Sequence, residues 1–146
     1  MAIDTRLEIG EHAEFSKTIG EADLVLFSGL SGDFDPIHVD EEYARTTAFG
    51  RRIAHGALIM GLLSTTSSMI SRRSVERGAT GVPVSLGYDK IRFLQPVFIN
   101  DTITARYTVE EIDSEAARSR SKVEIVNQAG ERCLAGTHIL KWVPRT

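Results

Sequence analysis

The second half of the chain constrains the fold most, because from Val82 onwards it has the pattern of β-strands joined by short turns. Between Thr102 and Glu111 apolar and polar residues alternate, which is the period of a strand that buries one face. Val82–Phe93 and Glu131–Val143 predict further strands, and another precedes the turn at residues 127–130. Since parallel strands need long crossovers, the short turns predict antiparallel pairing. The wet face of the strand before that turn is expected to carry Arg118, Arg120, Lys122 and Glu124.

The first half of the chain predicts one strand followed by helices. The strand is expected over residues 12–18, and a short helix over Glu21–Leu30. Ser31–Val39 is expected to be irregular, because a glycine interrupts it and its proline cannot donate a backbone hydrogen bond. Asp40 is expected to cap a second short helix, Glu41–Thr47.

The longest helix is predicted over Ala54–Arg73, where apolar residues fall on two adjacent stripes. Two such stripes predict a helix that is covered on most of its sides, as in a fold where a sheet wraps around a central helix. The order of elements predicts the fold class α+β, with three or four antiparallel strands after the long helix. The stripes consist of Leu58, Leu62, Thr65 and Met69, and of Ile59, Leu63, Thr66 and Ile70.

Size and charge exclude several classes of protein. The chain has 146 residues, which predicts a single domain over residues 1–146. The net charge is -3 and no basic stripe occurs, so a nucleic-acid partner is not expected. No apolar run approaches the roughly 20 residues that span a bilayer, and the N-terminus lacks the apolar core of a signal peptide. A cytoplasmic protein is therefore expected, and its single cysteine, Cys133, is interpreted as a small buried hydrophobe rather than a nucleophile.

An acid and an imidazole stand five positions apart in the irregular segment, at Asp33 and His38. A loop broken by Pro36 can direct both side chains into one small volume. A carboxylate and a neutral imidazole around one water form a proton-transfer unit at neutral pH. The spacing alone leaves a plain alternative open, in which Asp33 caps a turn and His38 is an ordinary loop histidine.

A second site is predicted where the long helix begins, at His55-Gly56. Gly56 has no Cβ, so a ligand can approach its backbone N–H, which the helix cannot satisfy, at the positive end of the helix dipole. The alternative is a glycine that lets the helix start against a crowded wall. His55 itself is expected to pack. His12 and His138 lie in predicted strands without partners at ligand spacing, so no metal site is expected there.

One stretch of the chain resembles the hydratase motif of the R-specific enoyl-CoA hydratases, a group within the MaoC-like dehydratases. The stretch comprises residues 31–40, 43–44, 46–49 and 53–56, and residues 91–97 and 100–101 resemble the strand and turn that follow the central helix in that family. The resemblance extends over residues 10–143. Its combination of an aspartate, Pro-x-His and His-Gly is more specific than any one of these parts.

The resemblance implies a hot-dog fold that dimerises to form a thioester-binding tunnel. It implies that Asp33 and His38 hold the attacking water, that Gly56 supplies an N–H to the thioester oxygen, and that Ser64 lines the site. One position departs from the family, which usually has asparagine where this chain has Asp35. An added carboxylate there would raise the pKa of its titratable neighbours if it faced them, and would do nothing if it faced solvent.

The resemblance implies reversible addition of water to a trans-2-enoyl thioester, giving a (3R)-3-hydroxyacyl thioester on coenzyme A or acyl carrier protein. No cofactor is expected, because no Gly-rich phosphate loop occurs. Two alternatives stay open. One is a hot-dog thioesterase, which has no need of a histidine at position 38, and the other is a non-catalytic protein that binds acyl thioesters. A homodimer is expected, because one sheet and one helix leave apolar surface and an open edge strand.

Overall fold

The computed structural model describes residues 3–146, so the first two residues of the predicted domain lie outside the described part. Five antiparallel strands form one sheet in the order β1-β3-β4-β5-β2. Helices α1 to α5 fall between β1 and β2 in the chain. The strands are β1 His12–Thr18, β2 Gly81–Phe93, β3 Thr102–Asp113, β4 Arg118–Val126 and β5 Arg132–Pro144. The helices are α1 Glu21–Ser31, α2 Pro36–Val39, α3 Glu41–Arg45, α4 Gly56–Met60 and α5 Leu62–Glu76.

The sheet packs against α5, which contacts β1, β2 and β3. The predicted alternation in β3 is confirmed, since its apolar side chains are buried together with Val123 and Ile125 of β4 and with Leu134 and Leu140 of β5. The end of α5 is joined to the sheet by a hydrogen bond from the Trp142 indole to the Ser74 hydroxyl, 2.9 Å long. The predicted α+β arrangement, with an antiparallel sheet around a long helix, is confirmed. It is the hot-dog fold that the resemblance implied.

The prediction that residues 31–39 are irregular is wrong for the first of them, Ser31, which ends α1, and for the last four. Pro36–Val39 form a short helix, α2, whose proline occupies the first turn, where its missing N–H costs no hydrogen bond. The carboxylate of Asp35 caps this helix by accepting a hydrogen bond from the Ile37 N–H at 3.1 Å. Asp40 caps α3 as predicted, through the Tyr43 N–H, but α3 ends two residues before the predicted boundary.

The long helix begins later and ends later than predicted. Ala54 is held in an extended segment by a hydrogen bond from its N–H to the Val97 carbonyl, so helical structure begins at Gly56. It continues through Gly61, which keeps right-handed helical dihedrals, to Glu76. Gly78, with φ of 89°, follows the end of the helix in a conformation that favours glycine.

The prediction that this helix is covered on most sides is also wrong for the single chain. The stripe of Ile59, Leu63, Thr66 and Ile70 is buried, but the adjacent stripe is only partly covered, and Met69 is 37% exposed. A further face is open to solvent and consists of small residues, namely Ala57, Gly61, Ser64 and Ser68. Among residues 3–146, no helix is both long and apolar enough to cross a membrane.

Candidate active site

The loop that carries Asp33 is shaped by hydrogen bonds over two-residue spans. Helix α1 ends at Ser31, and Gly32 turns the chain away with φ of 80°. One carboxylate oxygen of Asp33 then accepts a hydrogen bond from the Asp35 N–H at 3.1 Å. Asp33 therefore caps a turn, which is the alternative role that the sequence left open for it. Its second carboxylate oxygen is left for another partner, so this role does not exclude a catalytic one.

The ring of His38 is held in a defined tautomer. Its Nδ1 lies 2.8 Å from the carbonyl oxygen of Ile53, which can only accept, so Nδ1 carries the proton in the neutral ring. The Ile53 carbonyl is itself fixed, because Ile53 forms a β-bridge with Phe98. The Nε2 of His38 is left with a free lone pair, which is the form that a general base requires.

Asp33, His38 and His55 come together in space. A carboxylate oxygen of Asp33 and one ring nitrogen from each histidine all lie within 4.8 Å of one another. One water can donate to two acceptors that are this far apart, because each hydrogen bond spans about 2.8 Å. Although Asp33 is exposed and His38 is half-buried, the predicted pair is within reach of a single shared water.

His55 lies directly beneath the pair and is only 2% exposed. Its ring stacks on that of His38, with centroids 3.8 Å apart and planes inclined by 23°. Its Nε2 lies 3.1 Å from the Asp33 carbonyl oxygen and 3.1 Å from the Ser28 hydroxyl. Burial lowers the pKa of His55, and the hydrogen bond to the Asp33 carbonyl only partly opposes this shift. The ring is therefore neutral at neutral pH.

Arg52 ties together the two helices on either side of the loop. Its two terminal nitrogens donate to both carboxylate oxygens of Glu21, at 2.8 and 2.6 Å, where α1 begins. Its Nε donates to Glu41 at 2.7 Å, where α3 begins. This fork raises the pKa of Arg52 above its ordinary value through the hydrogen bond to Glu21 first and to Glu41 second. A bidentate ion pair fixes the direction as well as the distance between its partners. Arg52 therefore fixes the distance between α1 and α3, the helices at the two ends of the loop.

Gly56 begins the long helix beside an aromatic ring. Neither its N–H nor that of Ala57 has a hydrogen-bond partner within residues 3–146, and no side chain caps this helix. A Cβ at Gly56 would lie 2.7–3.0 Å from three ring atoms of Phe93, so the absence of a side chain makes room for this ring. Phe93 is 56% exposed, so it has space to move aside.

A cavity of about 450 Å³ joins Gly56 to His38. Apart from His38 and Gln95, its lining side chains are apolar, which suits an acyl chain beside a thioester. The lining includes Phe49, Ile53, Ile59, Phe93 and Leu94. Asp33 is not among the lining residues. Ser64 is exposed two turns along the helix and does not line the cavity either, so the structure does not bring it to the other three predicted residues.

The remaining reactive side chains occupy other surroundings. His138 is fully buried in the sheet between the Tyr107 and Ser85 hydroxyls, each 2.7 Å from a ring nitrogen. Cys133 is buried in β5 as predicted, and burial raises the pKa of its thiol. His12 is exposed and contacts Thr108 and Glu14.

In the described part of the chain, only Asp33, His38 and His55 are grouped closely enough to share a metal ion. Carbonyl oxygens engage one nitrogen of each of these histidines, Nδ1 of His38 and Nε2 of His55. The expectation that no metal is needed stays a prediction.

Sequence reasoning missed the contribution of His55, which it expected only to pack. The signal that was available is its position, immediately before the glycine that starts a helix. What no local pattern reveals is that the same ring meets the loop of Asp33 and the face of His38. Phe93 was missed for the same reason, since β2 brings it to Gly56 from 37 positions along the chain.

Comparison with known proteins gives concordant matches. Residues 4–131 match the family model described as MaoC like domain. An (R)-specific enoyl-CoA hydratase of Rhodospirillum rubrum is 46% identical over 100 residues, which are 68% of this chain and 64% of that protein. An (R)-specific enoyl-CoA hydratase of Aeromonas caviae is 33% identical over 92% of this chain and 95% of its own length.

The solved structures agree with these sequence matches. The (R)-hydratase of A. caviae, described as involved in PHA biosynthesis, superposes with a TM-score of 0.81 and 31% identity. That superposition covers 96% of this chain and all of the other. The unliganded R-hydratase of Pseudomonas aeruginosa superposes with a TM-score of 0.76 and 33% identity, over 95% of this chain and 84% of the other.

Proposed function

The chain belongs to the MaoC-like domain family, and from this premise we propose that it is an R-specific enoyl-CoA hydratase. The reaction is the reversible addition of water to a trans-2-enoyl thioester, giving a (3R)-3-hydroxyacyl thioester. The observation that carries the proposal is the placement of an acid and a correctly protonated imidazole within 4.8 Å, beside an apolar cavity that ends at a free helix N–H.

In this proposal the water lies between Asp33 and His38 and donates a hydrogen to each. Its oxygen attacks the β-carbon of the enoyl group while His38 Nε2 takes one of its protons. The electrons of the double bond move towards the thioester oxygen, where the Gly56 N–H and the positive end of the helix stabilise the developing charge. The proton taken by His38 is then given up and an equivalent proton is delivered to the α-carbon, so His38 returns to its neutral form and the sum of the steps adds one H and one OH across the double bond.

The assignment of residues is part of the proposal. Asp33 and His38 are the catalytic residues and Gly56 binds the thioester oxygen. The role of Ser64 has less support, because this side chain is exposed and lies away from the cavity. The reaction as written consumes no cofactor, since water is the only other reactant.

A homodimer with a cytoplasmic location completes the proposal. Strand β2 is an edge of the sheet, and its exposed side chains include Val82, Val84 and Leu86. An open apolar edge strand is a surface that a second copy can pair with. Light scattering at micromolar concentration tests this directly, and a monomer would contradict it.

The activity is tested with a short trans-2-enoyl-CoA by recording two signals at once. A hydratase removes the absorbance of the conjugated double bond and releases no free thiol. A thioesterase attacks the carbonyl carbon instead and releases thiol in proportion to turnover. We expect the first pattern with wild-type protein, and thiol release at the rate of turnover would establish the thioesterase alternative.

A further inference from the structure

We propose that His55 is a positioning residue for the hydration reaction, one that fixes Asp33 and His38 relative to each other. The inference rests on the proposed function, because it concerns the geometry of that same site. It goes beyond the roles that the resemblance implies, since that resemblance gives His55 none, and His55 is only 2% exposed and is not among the residues that line the cavity.

The first contact of His55 anchors the loop of Asp33. The Asp33 carbonyl oxygen can only accept, so the His55 Nε2 carries the proton and donates across 3.1 Å. No residue from Ser31 to Asp40 is fully buried, so the loop has little core packing of its own to hold it. A hydrogen bond from a buried ring therefore determines where the Asp33 side chain leaves the backbone.

The second contact supports the ring of His38. The two imidazoles stack with centroids 3.8 Å apart, and the ring of Phe27 also packs against His55, at 4.7 Å between centroids. With Ile53 holding Nδ1 and His55 holding the face, the His38 ring cannot rotate about its Cβ–Cγ bond without losing both contacts.

The third connection is through the backbone, because His55 is the residue that precedes Gly56. Its carbonyl accepts from the Leu58 and Ile59 N–H groups at 3.0 and 3.2 Å, which starts the long helix. One residue thus joins the water-holding pair to the N–H proposed for the thioester oxygen. The titratable groups that meet its ring are Asp33 and His38, and a neutral ring there adds no positive charge beside His38 when His38 takes a proton.

The alternative is that His55 is a buried histidine that serves stability alone. His138 provides a control, because its ring is also buried and hydrogen-bonded, but to side chains of the sheet at both ring nitrogens. Both hydrogen bonds of His55 are made by its Nε2. If burial were all that mattered, replacing either histidine would have the same consequences for catalysis.

The test compares His55→Phe, His55→Gln and His138→Phe with wild type in the enoyl-CoA absorbance assay, with thermal unfolding of each variant measured alongside. Phenylalanine keeps a ring against His38 but cannot donate to Asp33, whereas glutamine can donate but cannot stack. We expect kcat to fall about 10²-fold in His55→Phe and about 10-fold in His55→Gln, with KM changed less than about 3-fold. In His138→Phe we expect a lower unfolding temperature and a nearly unchanged kcat.

A second measurement shows whether His55 acts through the catalytic pair. In protein that carries Asp33→Asn, adding His55→Gln should reduce kcat little further, because there is no longer a pair to position. Folded His55 variants with wild-type kcat would overturn the inference, as would an equal loss of kcat in His138→Phe. If His55→Phe fails to fold, the kcat of His55→Gln, compared with that of wild type and of His138→Phe, decides whether His55 is a positioning residue. A wild type that leaves the enoyl absorbance unchanged overturns the proposed function instead, and this inference with it.

Discussion

The sheet and the segment from Ser31 to Gly56 each contain one buried histidine, and they use it differently. His138 is 0% exposed and its partners, Tyr107 of β3 and Ser85 of β2, belong to the same sheet as His138 itself. His55 is 2% exposed and its partners are the loop carbonyl of Asp33 and the ring of His38. In the sheet, the buried polar ring stabilises a core that other side chains form. In the segment it holds a loop in place, because no residue from Ser31 to Asp40 is fully buried.

This comparison predicts that changes in the segment reduce catalysis more than stability, and that changes in the sheet do the reverse. The largest effect is expected for Asp33→Asn or His38→Ala. Each should lower kcat by roughly 10³-fold, since each removes one side of the proton-transfer unit. Asp33 is exposed and His38 half-buried, so the unfolding midpoint in urea should move little. A variant that loses its activity only because it unfolds would break the comparison.

Gly56→Val is expected to have the next largest effect on catalysis, with kcat reduced by about 10²-fold or more, because its side chain obstructs the thioester oxygen. Its Cβ also displaces the ring of Phe93, so Phe93→Leu and the double variant serve as controls. If Gly56→Val loses activity because its side chain blocks the approach to the Gly56 N–H, Phe93→Leu alone should stay active. Adding Phe93→Leu to Gly56→Val should then not restore kcat. Full activity of a folded Gly56→Val would show that this glycine only makes room for the helix.

The variant His138→Phe tests the role of the buried histidine in the sheet through the pH dependence of the free energy of unfolding. Burial lowers the pKa of His138 to about 4, whereas the unfolded chain titrates near 6.5. Between these two pH values the unfolded state binds more protons than the folded state. The contribution of His138 to the free energy of unfolding is therefore complete above about pH 6.5 and is lost as the pH falls to about 4. The unfolding free energy of the wild type should therefore fall further over this range than that of His138→Phe, by an amount on the order of 3 kcal/mol. Parallel curves would show that His138 carries no such shift.

The smallest effect is expected for Asp35→Asn, which introduces the residue that the family usually has. The Asp35 carboxylate caps α2, and asparagine caps a helix about as well as aspartate. Activity and stability should both stay close to wild type, with at most a shift of the pH profile. Asp35→Ala is the paired control, and it should cost about 1 kcal/mol of stability because the Ile37 N–H loses its partner. A large loss of activity in Asp35→Asn would give this carboxylate a role beyond the cap.

The same two regions differ in how far the sequence predicts them. The strands were predicted to within about two residues, because alternation and turn residues act locally and the sheet only requires each strand to bury one face. Helix α1 was likewise predicted to within one residue. Boundaries were wrong where a tertiary contact decides them, as at Ala54, which is drawn out of the helix by the Val97 carbonyl.

In the segment, the sequence identified residues but not their geometry. Asp33, His38 and Gly56 were predicted from a motif, yet their spacing along the chain could not show that Asp33 caps a turn and also brings a carboxylate oxygen within 4.8 Å of a ring nitrogen of His38. The stack of His55 on His38 joins residues 17 positions apart through a chain reversal, and no periodicity records it. The exposure of Ser64 likewise depends on which face of the helix the sheet covers.

The central claim is that Asp33 and His38 hold one water as a unit, and the double variant Asp33→Asn/His38→Ala tests it most directly. The two single variants and the double variant are compared in the enoyl-CoA absorbance assay at saturating substrate. If the residues act as a unit, the first substitution already destroys the water site, and kcat of the double variant lies within about 10-fold of either single one. If the two losses multiply instead, to roughly 10⁶-fold, the residues act independently and the shared water is wrong.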